Sequence, residues 1–176
     1  MAYFPLTSRR AFLAGTAALS LATLAGCSTT EVLAPPGSGS DETDTVLGLI
    51  NKLRQSRGLG PLVRDEAAAK AALSQADRMA KAGKMSHLIG LTDSFLGRMK
   101  SQSVALPAAE NIAVGQADAA KAFDAWVHSP KHLENMLGPR YSGLGVAVMR
   151  NPKSGNHPYW AMVLSSPPVM DMPAAG

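Results

Sequence analysis

The chain has 176 residues, a formal net charge of +4 at pH 7 and one cysteine. A single cysteine excludes intramolecular disulfides and zinc sites built from several thiolates. No dense basic run with interleaved aromatic residues is present, so we expect no nucleic-acid partner.

The first 26 residues have the pattern of an export signal. Arg9 and Arg10 precede an uncharged stretch, residues 11–26, which is shorter than the about 20 residues of a membrane span but suits the apolar region of a signal peptide. "SRRAFL" resembles a twin-arginine signal, and "LAGC" at 24–27 resembles a bacterial lipobox. Cleavage there would leave lipid on Cys27. The alternative is an uncleaved anchor with an incidental cysteine.

Composition divides the rest of the chain. Removing Arg9 and Arg10 with the signal leaves 15 Lys and Arg against 13 Asp and Glu. Residues 27–41 are rich in Ser, Thr, Pro and Gly and predict a flexible tether. Residues 166–176 contain three prolines and predict a disordered tail. One domain is therefore expected over 42–165.

Apolar periodicity predicts several helices in this domain. Val46, Ile50 and Leu53 mark a first helix that ends near residue 58, before a turn in "GLGPLV". A second helix should begin after a cap at Asp65 and stop at Gly83. A short helix over 93–100 and another stripe around Trp126 follow. "ENIAVG", residues 110–115, predicts a brief extended segment.

Two closing segments, "GLGVAVM" and "YWAMVL", predict strands joined by a polar hairpin. Leu144, Val146 and Val148 should point to one face and the intervening residues to the other, yet both sets are apolar. A sheet that is apolar on both faces must be covered on both. We therefore predict an α+β fold, a three-layer α-β-α sandwich with a small antiparallel sheet between helices.

The segment "FDAWVHSPKHLENML", residues 123–137, places His128 and His132 four apart, as in zinc-peptidase helices. Pro130 argues against that assignment, because proline breaks a helix interior but suits its first position. A new helix should begin at Pro130 with Ser129 as its cap. The "HExxH" pattern is also absent. We reject a zinc-peptidase helix.

Glu110 lies among apolar residues, where a carboxylate must be paired or neutralised. The carboxylate could form a structural hydrogen bond to backbone amides, or it could belong to a functional site. His87 and His132 are further candidates, although a histidine near a helix end is usually a surface or capping residue. The scattered methionines with apolar neighbours indicate core packing.

Together these segments resemble the CAP superfamily, also called the SCP domain (cysteine-rich secretory proteins, antigen 5 and pathogenesis-related proteins), and its bacterial branch in particular. The resemblance covers about 44–165 and rests on motifs in family order. They are "LINKLRQSRGLGPLVRD", "MSH", "AENIAVGQ", "AWVHSPKHLENML" and "YWAMVL". It implies an α-β-α sandwich, with Asn111, Trp126 and Pro130 in structural roles.

The resemblance also implies a cleft that in many eukaryotic members holds a divalent metal between two histidines and two glutamates. His87 matches the first histidine and Glu110 the first glutamate. The second glutamate position holds Ser129, and the second histidine position falls at Pro158, beside His157. His132 is typical of bacterial members. His87, Glu110 and His132 are therefore the implied cleft set, which could ligate zinc with a water or form hydrogen bonds without metal.

We expect an exported lipoprotein of the cell envelope that faces the periplasm or exterior, in the outer membrane if the host has two membranes. Its expected partners are the membrane, through lipid on Cys27, and a lipid, apolar or cell-wall ligand bound without catalysis. The alternative is a metal-assisted hydrolase that uses His87, Glu110 and His132. No set of nucleophile, base and orienting group is apparent, which favours binding.

Overall fold

The computed structural model describes residues 37–166. The predicted signal peptide, with Arg9, Arg10 and Cys27, lies outside the described residues, as do most of the predicted tether and tail. The described part of the chain contains five α-helices and five strands. In order they are β1 Ser38–Asp41, α1 Thr43–Gln55, β2 Val63–Arg64, α2 Glu66–Ala82, α3 Phe95–Ser101, β3 Ala109–Val114, α4 Ala119–Val127, α5 Pro130–Met136, β4 Gly143–Arg150 and β5 Tyr159–Ser165. Within this range no helix combines the length and the apolar character that a membrane crossing requires.

The strands form one sheet in the order β1-β4-β5-β3, with the short β2 also paired to β4. All neighbours are antiparallel except β2, which runs parallel to β4. Strand β3 is at one edge and pairs only with β5, Glu110 opposite Val163 and Asn111 opposite Met162. Residues of β3 therefore lie where the sheet meets the surrounding helices and loops.

The predicted three-layer arrangement is confirmed. One face of the sheet, which carries Leu144, Val146 and Met162, packs in a cluster with residues of α1, α4 and α5. The other face, which carries Ala147 and Ala161, packs in a second cluster with α2 and α3. Within residues 37–166 the sheet thus has an apolar cluster against each of its two faces.

Helix α2 packs very close to the sheet. Asp65 accepts hydrogen bonds from the backbone amides of Ala67 and Ala68, and Gly83 ends the helix with a φ of 61°; both ends are as predicted. A Cβ on Gly145 of β4 would collide with the backbone of Ala68 and Ala69. The alanine-rich face of α2 thus allows direct contact between helix and strand backbones.

The break between α4 and α5 is also where the sequence predicts it. Helix α4 ends at Val127 and α5 begins with Pro130 in its first turn, so the two histidines lie on different elements. Ser129 is the N-cap residue of α5, but its side chain makes no capping hydrogen bond. The predicted helix start and N-cap position are therefore correct, and Ser129 contributes through its carbonyl, which accepts from the Leu133 amide at 2.8 Å.

Two boundaries differ from the sequence prediction. The predicted tether extended to residue 41, but Ser38–Asp41 forms β1 and pairs with residues 147–150 of β4. This strand was missed because its exposed "SGSD" has no apolar pattern and is held by backbone pairing. At the other end Ser166, the first residue of the predicted tail, is buried and its hydroxyl donates to the carbonyl of Pro107 at 2.8 Å.

Candidate functional site

Glu110 is the buried carboxylate at the centre of the site. Strand alternation places it on the α2/α3 side of β3, and only 2% of its side chain is exposed. Its Oε1 accepts a hydrogen bond from Nδ1 of His87 at 2.9 Å. The structure therefore joins two of the three residues in the implied cleft set.

Arg98 of α3 binds the same carboxylate. Its Nη1 lies 2.7 Å from Glu110 Oε2 and its Nη2 lies 3.1 Å from Oε1. Such a bidentate pair is both strong and geometrically specific. Glu110 thus pairs with a guanidinium and an imidazole, rather than with the backbone amides expected in the structural alternative.

Asp93 and Arg78 extend this pair into an ionic network. Arg98 Nε contacts Asp93 Oδ1 at 3.2 Å, and Arg78 Nη2 contacts Asp93 Oδ2 at 2.5 Å. Burial alone would raise the pKa of Asp93. The hydrogen bonds from Arg78 and the Ile89 amide, with the charges of both arginines, outweigh it and hold the pKa below its usual value. We call Arg78, Asp93, Arg98 and Glu110 the ionic network; it contains two cations and two anions.

His132 approaches from the other side of β3. Its ring is half-buried in the first turn of α5, and burial, followed by the charge of His87, lowers its pKa below the ordinary histidine value. The carbonyl of His132 accepts a hydrogen bond from Asn111 Nδ2 at 3.0 Å, and Asn135 donates to Asn111 Oδ1 at 2.8 Å. Asn111, which faces opposite to Glu110, therefore fixes α5 against the sheet edge.

Beside His132 lies a cleft of about 230 Å³, and neither His87 nor Glu110 is among the residues that line it, so two of the three residues of the implied cleft set lie outside this cleft. Its walls are mainly apolar, and its lining includes Met85, Ile112, Val114, Trp126, Ser129 and His132. Trp126 is fully buried, and its Nε1 has no hydrogen-bond partner among the described residues; the same holds for Oε1 of Gln116, which also lines the cleft. The volume is below the typical range for drug-sized ligands, so the cleft fits a small group or one end of a longer molecule.

The residues present do not fit a metal site. No three His, Cys, Asp or Glu side chains within 37–166 form a group that could hold a metal ion. Both oxygens of Glu110 are bound by Arg98, whose positive charge would repel a divalent cation. His87 and Glu110 are instead joined by a hydrogen bond, as in the metal-free alternative for the implied cleft set. Within the described residues His132 forms a hydrogen bond with neither of them.

The remaining candidates lie elsewhere. His128 is exposed and its Nδ1 bonds the carbonyl of Asp124, one turn earlier in α4. His157 is exposed in the hairpin before β5 and is not among the residues that line the cleft. Ser129, at the second glutamate position, does line it.

Sequence reasoning missed Arg98. The available signal was indirect: Glu110 needed a partner, and "FLGRMK" supplies an arginine on a short helix. Nothing in that segment shows whether the arginine turns inward, because the proximity of α3 and β3 is a property of the tertiary fold.

Comparisons with known proteins identify the family and the fold. The family model for the cysteine-rich secretory protein family (CAP) matches residues 47–164. The uncharacterized protein YkwD of Bacillus subtilis (strain 168) is 32% identical over 117 residues, 66% of this chain and 46% of that protein. The chain therefore spans less than half the length of this curated relative.

Solved structures show the same fold at lower identity. An extracellular protein of Bacillus anthracis str. Ames that contains an SCP domain has a TM-score of 0.64 and 24% identity, over 72% of this chain and 40% of that one. An outer surface protein of Borrelia burgdorferi has a TM-score of 0.63 and 20% identity, over 74% of this chain and 98% of that one.

Proposed function

The chain belongs to the cysteine-rich secretory protein (CAP) family, and from that premise we propose that it is a non-catalytic binding module of the cell envelope. The cleft beside His132, between α4, the start of α5 and the edge strand β3, would take a lipid, another apolar molecule or part of a cell-wall component. Export and attachment through lipid on Cys27 belong to the same proposal.

The observation that carries the proposal is the state of Glu110. A general base or metal ligand must reach a substrate or an ion, but this carboxylate is 2% exposed and both oxygens are bound by Arg98. His132 has a lowered pKa and is therefore neutral near pH 7. The cleft thus offers apolar walls and a neutral imidazole, which suit binding better than hydrolysis.

The envelope location is supported by the sequence pattern and by relatives. Arg9, Arg10 and the segment that ends at Cys27 have the order of an export signal and lipobox. Two proteins of the same fold are described as an extracellular protein and an outer surface protein. Metabolic labelling with a fatty acid tests the anchor: the parent should be labelled and Cys27→Ser should not. Label that persists in the variant would reject the anchor.

Filling the cleft tests the binding role. Ala125→Leu on α4 adds a side chain to the cleft lining, while Ala120→Leu adds the same side chain at an exposed position of the same helix. The chain from residue 28 would be incubated with lipid extracts and with soluble cell-wall fragments, and bound molecules identified by native mass spectrometry. The parent and Ala120→Leu should carry a ligand that Ala125→Leu lacks.

Two results would contradict the proposal. A ligand retained equally by both variants would place its site outside the cleft. Cleavage of a cell-wall fragment by the parent, lost in a Glu110→Gln variant, would establish the hydrolase alternative instead.

A further inference from the structure

Exposed apolar side chains are concentrated in one segment of the described structure. Seven large hydrophobic residues of residues 37–166 are exposed, and four of them lie within 85–96. These four, the apolar patch, are Met85 (47% exposed), Leu88 (52%), Leu91 (106%) and Leu96 (48%). The patch covers the loop between α2 and α3 and the start of α3. Such clustering is typical of an interaction surface.

The ionic network holds this loop in place from within. Arg98 Nη2 donates to the carbonyl of His87 at 2.9 Å, and Arg78 Nη2 donates to that of Ile89 at 2.7 Å. Gln75 Nε2 donates to the carbonyl of Ser86 at 2.8 Å, and the Ser86 hydroxyl donates to that of Leu88 at 2.8 Å. Four successive carbonyls are thus bonded to side chains of the protein.

These hydrogen bonds matter for the environment that the loop can enter. In an apolar medium each unpaired backbone carbonyl costs several kcal/mol. Carbonyls 86–89 have partners of their own, so these four groups can leave water without that cost while Leu88 stays exposed.

The exposed charges within the segment that carries the patch have one sign. Within 83–100 the exposed charged side chains are Lys84 and Lys100. Asp93, the one carboxylate of this stretch, is 4% exposed and paired with two arginines. Lysines beside apolar side chains can extend toward anionic headgroups while the apolar groups enter the interface.

From these observations we propose that residues 84–100 dock on an anionic lipid surface, with Leu88 and Leu91 inserted at the headgroup boundary and Lys84 and Lys100 over the headgroups. The surface needs no anchor to bind. Lipid on Cys27 would add effective concentration, since nine residues lie between it and Gly37 and the two can be at most about 35 Å apart. Met85 belongs to both the patch and the cleft lining, so docking would bring the cleft rim to the bilayer.

Vesicle flotation tests the proposal with the chain from residue 28, which lacks the apolar signal segment and retains the sheet and both apolar clusters. Vesicles of phosphatidylcholine with phosphatidylglycerol should bind the parent, and vesicles of phosphatidylcholine alone should bind it more weakly. Leu88→Ser with Leu91→Ser should lower the partition coefficient at least about tenfold, the effect of losing two partly buried leucines. Lys84→Gln with Lys100→Gln should weaken binding to the anionic vesicles alone, as should added salt.

The matched control is Val63→Ser with Leu73→Ser, two exposed apolar residues outside the patch. It should bind like the parent, and unchanged circular dichroism of all variants excludes unfolding. The proposal is overturned if the parent binds neither kind of vesicle, or if the control loses as much binding as the patch variant, Leu88→Ser with Leu91→Ser. A parent dimer that Leu88→Ser with Leu91→Ser makes monomeric would instead identify a second copy as the occupant.

This test is independent of the cleft. Ala125→Leu should keep vesicle binding, and the patch variant should keep a ligand bound in the cleft. Failure of one proposal therefore leaves the other measurable.

Discussion

Arg98→Met is the substitution that most directly tests the account of the site. The side chain of Arg98 is 14% exposed and donates four hydrogen bonds, two to Glu110, one to Asp93 and one to the carbonyl of His87. Methionine is similar in length and apolar, so it fills the space but leaves a nearly buried carboxylate without its cation. Removing one partner of a buried pair costs about 3–5 kcal/mol.

Urea unfolding at pH 7, followed by circular dichroism, measures this loss. Arg98→Lys should lie between the parent and Arg98→Met, because an ammonium keeps the charge but not the bidentate geometry. Lys100→Met, exposed on the same helix, should change the free energy of unfolding by less than about 0.5 kcal/mol.

A double-mutant cycle distinguishes the energy of the Arg98–Glu110 ion pair from the energy lost when packing alone is disturbed. Arg98→Met with Glu110→Gln removes both charges, so the double variant should be more stable than the sum of the single losses implies, by at least about 1 kcal/mol. Additive losses, or a loss below about 1 kcal/mol in Arg98→Met alone, would refute the conclusion that Arg98 is the cation of this site.

Three further predictions concern single residues. Trp126→Ala should cost about 3–5 kcal/mol in urea unfolding because the indole is fully buried; a loss below about 1 kcal/mol would contradict its place in the core. Asp93 has a pKa below its usual value, so its stabilisation is complete above the unfolded value of about 3.9 and is lost as pH falls through the lower folded pKa. The free energy of unfolding of Asp93→Asn should therefore depend less on pH below about 4 than that of the parent. An acid unfolding curve identical to the parent's would contradict the role of Asp93 in the ionic network. His132 also has a lowered pKa. Below about pH 6.5 its ring therefore binds a proton more readily in the unfolded chain than in the folded one, and the free energy of unfolding decreases as the pH is lowered. His132→Gln should reduce that decline, and a parallel pH profile would show that the ring is fully solvated.

The three layers of the fold could be predicted because the two closing strands are apolar on both faces, and a sheet of this kind must be covered on both sides. Leu144 and Val146 on one face and Ala147 on the other are all apolar, so helices had to cover both sides. The helix break before Pro130 was equally determined, since it follows from local backbone chemistry. Predictions of this kind need no knowledge of which elements meet.

The site could be predicted only in part. The need of Glu110 for a partner follows from its apolar neighbours, and His87 was a candidate. Arg98 and Asp93 lie on a short helix and the loop before it, whose approach to β3 depends on the packing of α2 and α3 against the sheet. The same limit applies to β1, because a strand held by backbone pairing alone leaves no apolar pattern to detect.

Strand β1 also determines how the domain responds to mechanical load. Any pull on the chain before residue 37 acts on the end of β1, where Ser38 pairs with Arg150, and would separate the ladder one pair at a time toward Asp41. There Arg64 bonds the Asp41 carboxylate and also contacts Asp44 and Glu66 at the starts of α1 and α2. Opening the three pairs before Asp41 would release roughly 10 Å of chain before the load reaches these ion pairs. The strand is an extensible segment that can lengthen the connection under force while the core remains folded.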